Sequence, residues 1–347
     1  MRQLNLSIVG FGTAGRWLAA ALHRRDGWLQ AECGVRVKLV SVATRRDGFI
    51  FQPAGFDLAT LLDMAADGRS LADYPGVRRW DTALAGLAET SADVLAEASN
   101  TDPRQPEPAL SHMRYALGQS RHVITSSKGP CAAAAVELFA LARQCGVQFR
   151  CEATVMSGTP VLSALREGLA GSRVLALQGI LNGTANHILT LMAQGQDYTA
   201  ALADAQARGY AEPDPADDVE GHDVAAKARI LAAVAFGCAV PLDDVWRLGI
   251  TGLTAADVRQ AARAESRLKL VASLKPRPAG DRTPLDVRVE PLVLPLADPL
   301  ARVDGVQNAL RIETDTTSPV TIIGPGAGRG QAGQGLFADL VAVARGL

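Results

Sequence analysis

Large rings are scarce in this sequence: Phe, Trp and Tyr together make up 5% of its 347 residues. A core with so few aromatics is built mainly from Ala, Leu and Val, which suits helices packed on a sheet. An excess of one charge is missing too. Lys and Arg number 35 and Asp and Glu 36, for a formal net charge of -1. No general attraction to nucleic acid or to an anionic membrane is therefore expected. The longest apolar run, residues 230–240, falls short of the about 20 residues that span a bilayer. No basic, apolar, small-residue leader opens the chain, which argues against a secretory signal peptide. Cys33, Cys131, Cys145, Cys151 and Cys238 are scattered and form no Cys-x-x-Cys pair. That argues against a disulfide framework or a zinc site and fits reduced thiols in a cytoplasm.

What is present is an ordinary globular chain, 48% hydrophobic and 20% charged. It is too apolar for wholesale disorder and long enough for roughly two domains. Residues 4–9 read as a short apolar strand. It runs into Gly10-Phe11-Gly12-Thr13-Ala14-Gly15, then a helix over 16–25 with Trp17, Leu18, Ala21 and Leu22 on one face, then a strand over 35–43. Further strands are expected at 94–98, 122–125 and 148–154, with helices at 109–118 and 132–145. The alternation predicts an α/β fold: a doubly wound parallel sheet over residues 1–150, of the Rossmann type.

Beyond 150 the character changes to an α+β pattern, expected to form a second domain over 151–323. Residues 184–194 and 223–236 read as helices, separated by an acidic loop with prolines. Six prolines fall between Lys275 and Pro299, and the stretches 286–290 and 311–314 alternate with period two, so a separate sheet of short strands is predicted. A second glycine-rich turn, Gly324-Pro325-Gly326-Ala327-Gly328, precedes a helix at 336–344. The segment 324–347 is expected to return to the first domain.

The Gly10-x-Gly12-x-x-Gly15 spacing gains its meaning from a strand before it and a helix after it. Gly10 permits a tight turn, Gly12 lets the backbone approach a pyrophosphate, and Gly15 lets helix and strand pack closely. At the end of the next strand, Val42-Ala43-Thr44-Arg45-Arg46 carries no carboxylate before two arginines. Guanidinium groups suit a 2′-phosphate, so NADP is expected ahead of NAD. Asp47 would serve an NAD ribose if the loop bends.

Three segments of the second half carry reactive groups. Residues 179–186, Gly-Ile-Leu-Asn-Gly-Thr-Ala-Asn, form a polar turn opening a helix. Residues 209–218, Gly-Tyr-Ala-Glu-Pro-Asp-Pro-Ala-Asp-Asp, hold carboxylates on a loop stiffened by Pro213 and Pro215. In Gly221-His222-Asp223-Val224-Ala225-Ala226-Lys227, Asp223 and Lys227 are one helical turn apart on the same face. Taken together they predict a site for a zwitterion with a polar head.

On these segments the sequence resembles the homoserine dehydrogenases, over nearly its whole length. Ser126-Ser127-Lys128-Gly129-Pro130 and Glu152-Ala153-Thr154-Val155-Met156-Ser157-Gly158-Thr159-Pro160 are also similar to that family's junction and hinge segments. The resemblance implies reversible hydride transfer between a nicotinamide cofactor and C4 of L-homoserine, giving L-aspartate 4-semialdehyde, a step of threonine and methionine biosynthesis. Lys128 and Lys227 would stand at the reacting oxygen, either one moving the proton, with Asp223 binding substrate or orienting Lys227. Glu212 and Asp218 would hold the substrate ammonium, and Gly183 and Thr184 would touch substrate or nicotinamide. Thr101, Ser126, Lys128 and Gly328 would join Gly10 to Gly15, Arg45 and Arg46 around the cofactor. A monovalent cation such as sodium would bind Glu152 and carbonyls of Val155, Ser157 and Thr159. A cytoplasmic homodimer, paired through strands near 286–294 and 309–323, is also implied. The length leaves no room for a fused kinase or appended regulatory domain.

The pattern is broken in places. His187 stands where the family has Tyr, Ser127 where it has Asn, residues 104–108 replace part of a Thr-rich loop, and Ala332-Gly333 replaces Thr-Ala. The competing readings are another NAD(P)-dependent oxidoreductase and a non-catalytic NADP-binding module. None of the cysteines sits in the polar motif that a phosphorylating semialdehyde dehydrogenase needs, and the retained lysines and carboxylates speak against a non-catalytic role.

Overall fold

The computed structural model describes residues 2–99, 105–278, 281, 283–328 and 330–346. The chain divides into two compact units, Met1–Gly158 with Gly328–Leu347, and Thr159–Ala327.

The first unit holds strands β1 (Arg2–Val9), β2 (Val35–Thr44), β3 (Gly48–Phe51), β4 (Arg78–Trp80), β5 (Val94–Glu97), β6 (His122–Thr125) and β7 (Phe149–Arg150). They form a seven-stranded sheet in the order β4-β3-β2-β1-β5-β6-β7. Strands β2, β1, β5, β6 and β7 are parallel, while β3 and β4 add an antiparallel edge. Helices α1 (Thr13–Cys33), α2 (Leu58–Ala66), α3 (Ala83–Glu89), α4 (Ala109–Gly118) and α5 (Lys128–Gln144) connect them. Leu6, Ile8, Val42, Val94, Ala96 and Ile124 are wholly buried in the sheet core. From β1 the chain winds to β2 on one side and later to β5 on the other, so strand order reverses at β1. In such sheets ligands bind outside the carboxyl ends of the strands at that reversal.

Several boundaries differ from expectation. The helix predicted over 16–25 runs on to Cys33, because Leu29 is wholly buried and the first stop is Gly34, left-handed at φ 64°, which donates to the Gln30 and Leu29 carbonyls. The strand predicted over 148–154 is only Phe149–Arg150; a 3-10 turn over Glu152–Thr154 ends it, with the Thr154 hydroxyl bonded to the Cys151 carbonyl at 2.6 Å.

The second unit carries α6 (Val161–Ser163), β8 (Val174–Ile180), α7 (Gly183–Ala193), α8 (Tyr198–Ala207), α9 (Ala216–Val219), α10 (His222–Phe236), β9 (Val245–Arg247), α11 (Ala255–Arg263), β10 (Ser266–Pro276), β11 (Leu285–Pro295), β12 (Gln307–Thr314) and β13 (Val320–Pro325). Its six-stranded sheet runs β13-β12-β8-β10-β11-β9 and is antiparallel except between β11 and β9. β11 is longer than the strand expected at 286–290. Only Val287–Val289 face β9, so Pro291 and Pro295 lie where that side of β11 has no strand partner, which a residue without an N–H tolerates.

Helix α12 (Gln331–Arg345) belongs to the first unit and packs along α1. Leu336, Leu340, Val343 and Ala344 join the core of β1 and α1. It starts earlier than the helix expected at 336–344, since Gly330, Gly333 and Gly335 let it lie close on its neighbours. Among the described residues no helix is long and apolar enough to cross a membrane.

Candidate active site

In the first unit, β1 ends at Val9 and α1 begins at Thr13, so Gly10 to Gly15 form the turn between them. Gly10 is left-handed at φ 92°, and a Cβ there would fall 2.4 Å from the backbone of Ala98 and Ser99. A Cβ on Gly15 would fall 2.2 Å from the Gly10 carbonyl oxygen. Both glycines are thus dictated by protein neighbours. Gly12 is not: its φ is -83° and a Cβ would meet nothing within 4 Å. It is also the N-cap of α1 and offers no side chain to the first amides of that helix. Open space, exposed Gly12 and Thr13 and uncapped helix amides make a cradle for a phosphate group, so the residues fit a dinucleotide. The Phe11 side chain is buried in the core, which leaves only its backbone for a ligand.

At the end of β2 the two arginines part company. Arg46 donates to Asp47 at 3.2 Å, to the Gly68 carbonyl at 3.0 Å and to the Arg69 carbonyl at 2.5 Å. Its expected cofactor role is thereby reduced, since this guanidinium ties down the 68–69 loop. Arg45 is exposed and has no hydrogen-bond or ion-pair partner among the described residues. Asp47 is buried and accepts from Thr44 and Ser70, at 2.8 Å each. Burial alone would raise its carboxyl, but the bonds from Ser70, Thr44 and Arg46 outweigh it and hold it below the usual carboxylate range.

A network that sequence reasoning missed underlies the turn. Glu97, wholly buried at the end of β5, accepts from the Ser99 amide at 3.0 Å and contacts His112 Nδ1 at 2.8 Å. The Ser127 hydroxyl donates to the Ser99 carbonyl at 2.7 Å, just before Lys128 begins α5. Ser126 donates its amide to the Glu97 carbonyl at 3.1 Å. Thr101 lies outside the described residues. Gly328 precedes α12 at φ 143°.

The second unit brings together Asn182, Thr184, Asp218, Asp223 and Lys227. Lys227 Nζ, buried on α10, donates to Asp223 at 2.7 Å and to the Leu181 carbonyl at 2.6 Å. Asn182 caps α7 by accepting from the Ala185 amide at 2.8 Å, and its Nδ2 donates to Asp218 at 2.6 Å and Asp223 at 3.0 Å. The Thr184 hydroxyl donates to the Tyr210 carbonyl at 2.8 Å. Gly183 is required, since a Cβ would meet the Val306 carbonyl oxygen at 2.7 Å. Burial pushes the Asp218 carboxyl up; the Asp223 charge adds to that, and the Asn182 bond and Lys227 charge oppose it. Glu212 is exposed and its carboxylate has no partner among the described residues, so it stands apart from this cluster.

Asn182 had no role assigned from sequence, although it sits inside the 179–186 motif. Its double bridge exists only once β8, α9 and α10 converge. Lys269, also missed, donates to Asn186 at 3.1 Å, Asp304 at 2.9 Å and the Val303 carbonyl at 2.5 Å, and so fastens α7 from behind. His187 bonds Asp204 at 2.8 Å and stacks edge-on against Tyr210, a packing role. At the hinge, Glu152 and Val155 are buried, and Met156 and Ser157 adopt left-handed φ values of 56° and 53°. Glu152, Val155 and Ser157 belong to the first unit and Thr159 to the second.

A family model described as homoserine dehydrogenase matches residues 160–341. An NAD(+)-dependent homoserine dehydrogenase of Pseudomonas canavaninivorans is 38% identical over 98% of this chain and 96% of its own. Among solved structures, a homoserine dehydrogenase from Thiobacillus denitrificans superposes with a TM-score of 0.82 at 33% identity, covering 99% of this chain and 74% of that one. A hyperthermophilic archaeal homoserine dehydrogenase in complex with NADPH gives 0.82 at 30% identity, covering 99% and 98%. The chain belongs to the homoserine dehydrogenase family, and its function is the oxidoreductase reaction of that family.

Proposed function

We propose that this chain interconverts L-homoserine and L-aspartate 4-semialdehyde with NADP as its preferred cofactor and Lys227 as its proton-transfer group. The observation that carries the reading is the buried chain Asp218–Asn182–Asp223–Lys227. A lysine held in one position by a carboxylate and a carbonyl is placed to exchange a proton with a substrate oxygen. The ionised Asp218 attracts the substrate ammonium, with Glu212 as a second carboxylate from the loop. Lys128, at the start of α5, is assigned to binding and polarising the same oxygen.

Lys227 would take the hydroxyl proton of homoserine as the C4 hydride leaves to a bound nicotinamide, which supplies the hydride acceptor, and would return that proton in the reverse direction. Gly10 to Gly15 hold the pyrophosphate through backbone amides and the positive end of α1. Thr101, Ser126 and Gly328 are assigned to cofactor contacts nearby. Arg45, exposed and unpaired among the described residues, favours a 2′-phosphate, and the bonds that Asp47 accepts from Thr44 and Ser70 make it the weaker candidate for a ribose hydroxyl. A monovalent cation such as sodium is assigned to the 152–159 segment, with the buried Glu152 carboxylate and the carbonyl oxygens of Val155, Ser157 and Thr159 as its ligands; hard oxygen ligands suit such an ion. A cytoplasmic homodimer is part of the same reading, supported by the exposed Leu175, Val293 and Ile323 on the second sheet.

Reduced-nicotinamide absorbance tests the reading directly. Homoserine supplied with NADP should give turnover, with NAD a poorer partner. No turnover with either, in sodium or potassium buffer, defeats it.

A further inference from the structure

Glu97 is the last residue of β5 and is wholly buried, as are the apolar Val94, Leu95 and Ala96 before it. An apolar side chain would fill that space without taking a carboxylate out of water. Both carboxylate oxygens are instead engaged. One accepts from the Ser99 amide at 3.0 Å and from the Ser99 hydroxyl, and the other meets His112 Nδ1 on α4 at 2.8 Å. These bonds fix backbone that touches the glycine turn. The Ser99 nitrogen held by Glu97 is also a wall of Gly10, where a Cβ would fall 2.4 Å from it. The Ala98 amide donates to the Val9 carbonyl at 2.7 Å, directly before Gly10. The Ser99 carbonyl accepts from the Ser127 hydroxyl at 2.7 Å. Ser127 is the N-cap residue of α5, yet its side chain makes no cap bond to that helix. All of these groups belong to the first unit.

We propose that Glu97 is a positioning residue for the cofactor: through Ser99 it holds the 98–99 backbone against the Gly10 to Gly15 turn, with His112 as its second anchor and Ser127 bracing Ser99 from α5. The inference rests on the cofactor reading of that turn and extends it to residues without an assigned role. Affinity for a dinucleotide depends on amides that are in place before it arrives, because ordering a loop on binding is subtracted from the affinity. Without an acceptor at 97, the Ser99 amide and hydroxyl are released and the wall beside Gly10 is free to drift. Leu at 97 would fill the space and offer no acceptor. Gln would keep an oxygen for Ser99 and an N–H for His112. The acceptor, rather than the charge, is what holds the turn.

The test is isothermal titration of the folded proteins with NADP and with NAD, beside hydrogen exchange of the Ser99 amide without cofactor. Glu97→Leu should weaken cofactor binding by about tenfold, the value of one well-made bond, and Glu97→Gln by no more than about threefold. The Ser99 amide should exchange at least about tenfold faster in Glu97→Leu than in wild type. In turnover the change should fall on the cofactor KM rather than on kcat. A role confined to stability would lower the melting temperature and leave the cofactor Kd of the folded protein unaltered, and that result overturns the proposal. Glu97→Gln binding as weakly as Glu97→Leu overturns it as well. If Glu97→Leu fails to fold, Ser127→Ala decides: a cofactor Kd raised by about threefold or more and restored in Ser127→Thr supports the proposal, and an unaltered Kd overturns it. Wild type that binds neither cofactor defeats the functional reading and this inference together. Wild type that binds cofactor and turns over homoserine, beside variants of unchanged affinity, removes this inference alone.

Discussion

Gly333 of α12 rests against the indole of Trp17 on α1: a Cβ on Gly333 would fall 2.7 Å from Cβ, Cδ2 and Cε3 of Trp17. These are atoms of the ring and its root, which have little room to give. Gly333 is therefore matched by a large ring on the facing helix. Gly333→Ala is expected to destabilise the protein by about 1–3 kcal/mol through overpacking. In a Trp17→Leu background the ring atoms Cδ2 and Cε3 are gone but the residue-17 Cβ remains, so the same change should cost clearly less than in the wild type. Denaturant unfolding of the four proteins measures the coupling; additive effects would contradict it.

Gly10 and Gly12 should separate folding from binding. Gly10→Ala meets backbone at 2.4 Å and a left-handed φ, so it should lower the melting temperature. Gly12→Val enters open space and should cost no more than about 1–2 kcal/mol, the loss of a favourable N-cap. Its cofactor affinity should nevertheless fall at least tenfold, because the pyrophosphate needs that space. Thermal unfolding and cofactor titration of both variants check the pair.

Arg45→Ala should weaken NADP binding by about 10- to 100-fold, the worth of a charge-assisted bond, and leave NAD binding unchanged. Asp47→Ala should instead loosen the Thr44–Ser70 loop without altering NAD affinity. Isothermal titration with each cofactor distinguishes the two. A large loss of NAD affinity in Asp47→Ala would return the ribose to that carboxylate.

Burial raises the Asp218 pKa above its ordinary 3.8, so the folded chain keeps this proton to higher pH than the unfolded one. The contribution to stability is fully present below 3.8 and is lost as pH rises through the raised value. Substrate binding runs the other way, since an ammonium is attracted by the ionised form. Homoserine KM should rise as pH falls through the raised pKa, and Asp218→Asn should show a high KM without that slope. The same KM–pH slope in the variant would show that another group titrates.

Lys227→Met leaves Asp223 buried beside an apolar chain, and should lower kcat by about 10²–10⁴. Breaking a buried pair costs about 3–5 kcal/mol, so circular dichroism must confirm that the variant is folded at the assay temperature. Lys128→Met should raise KM more than it lowers kcat. Near-normal turnover in folded Lys227→Met would transfer the proton step to Lys128.

Much of the architecture was legible in local pattern. The turn at Gly10 to Gly15 declares itself because a strand precedes it and a helix follows within a few residues. The strand at His122–Thr125 and the helix from His222 to Phe236 were readable for the same reason: apolar period and capping glycines are local. The antiparallel strands Gly48–Phe51 and Arg78–Trp80 at the sheet edge were not, being short and stabilised by pairing with neighbouring strands. Nor was Ser266–Pro276, a central strand whose mixed Lys and Leu positions are all wanted only when two neighbouring strands cover it.

The candidate site divides in the same way. Sequence by itself determined which residues are available to react, since Asp223 and Lys227 share a helix face by spacing alone, and the long motifs mark the family. Tertiary structure decided how they are used. Asn182 bridges two carboxylates from other segments, Glu212 stands apart, Arg46 is spent on carbonyls while Arg45 is left exposed, and Asp47 is sealed away. Each outcome depends on groups that are distant in the chain meeting within 3 Å or so, the range over which hydrogen bonds and burial act. Spacing can place residues on a face, but it cannot show which of them will find a partner there.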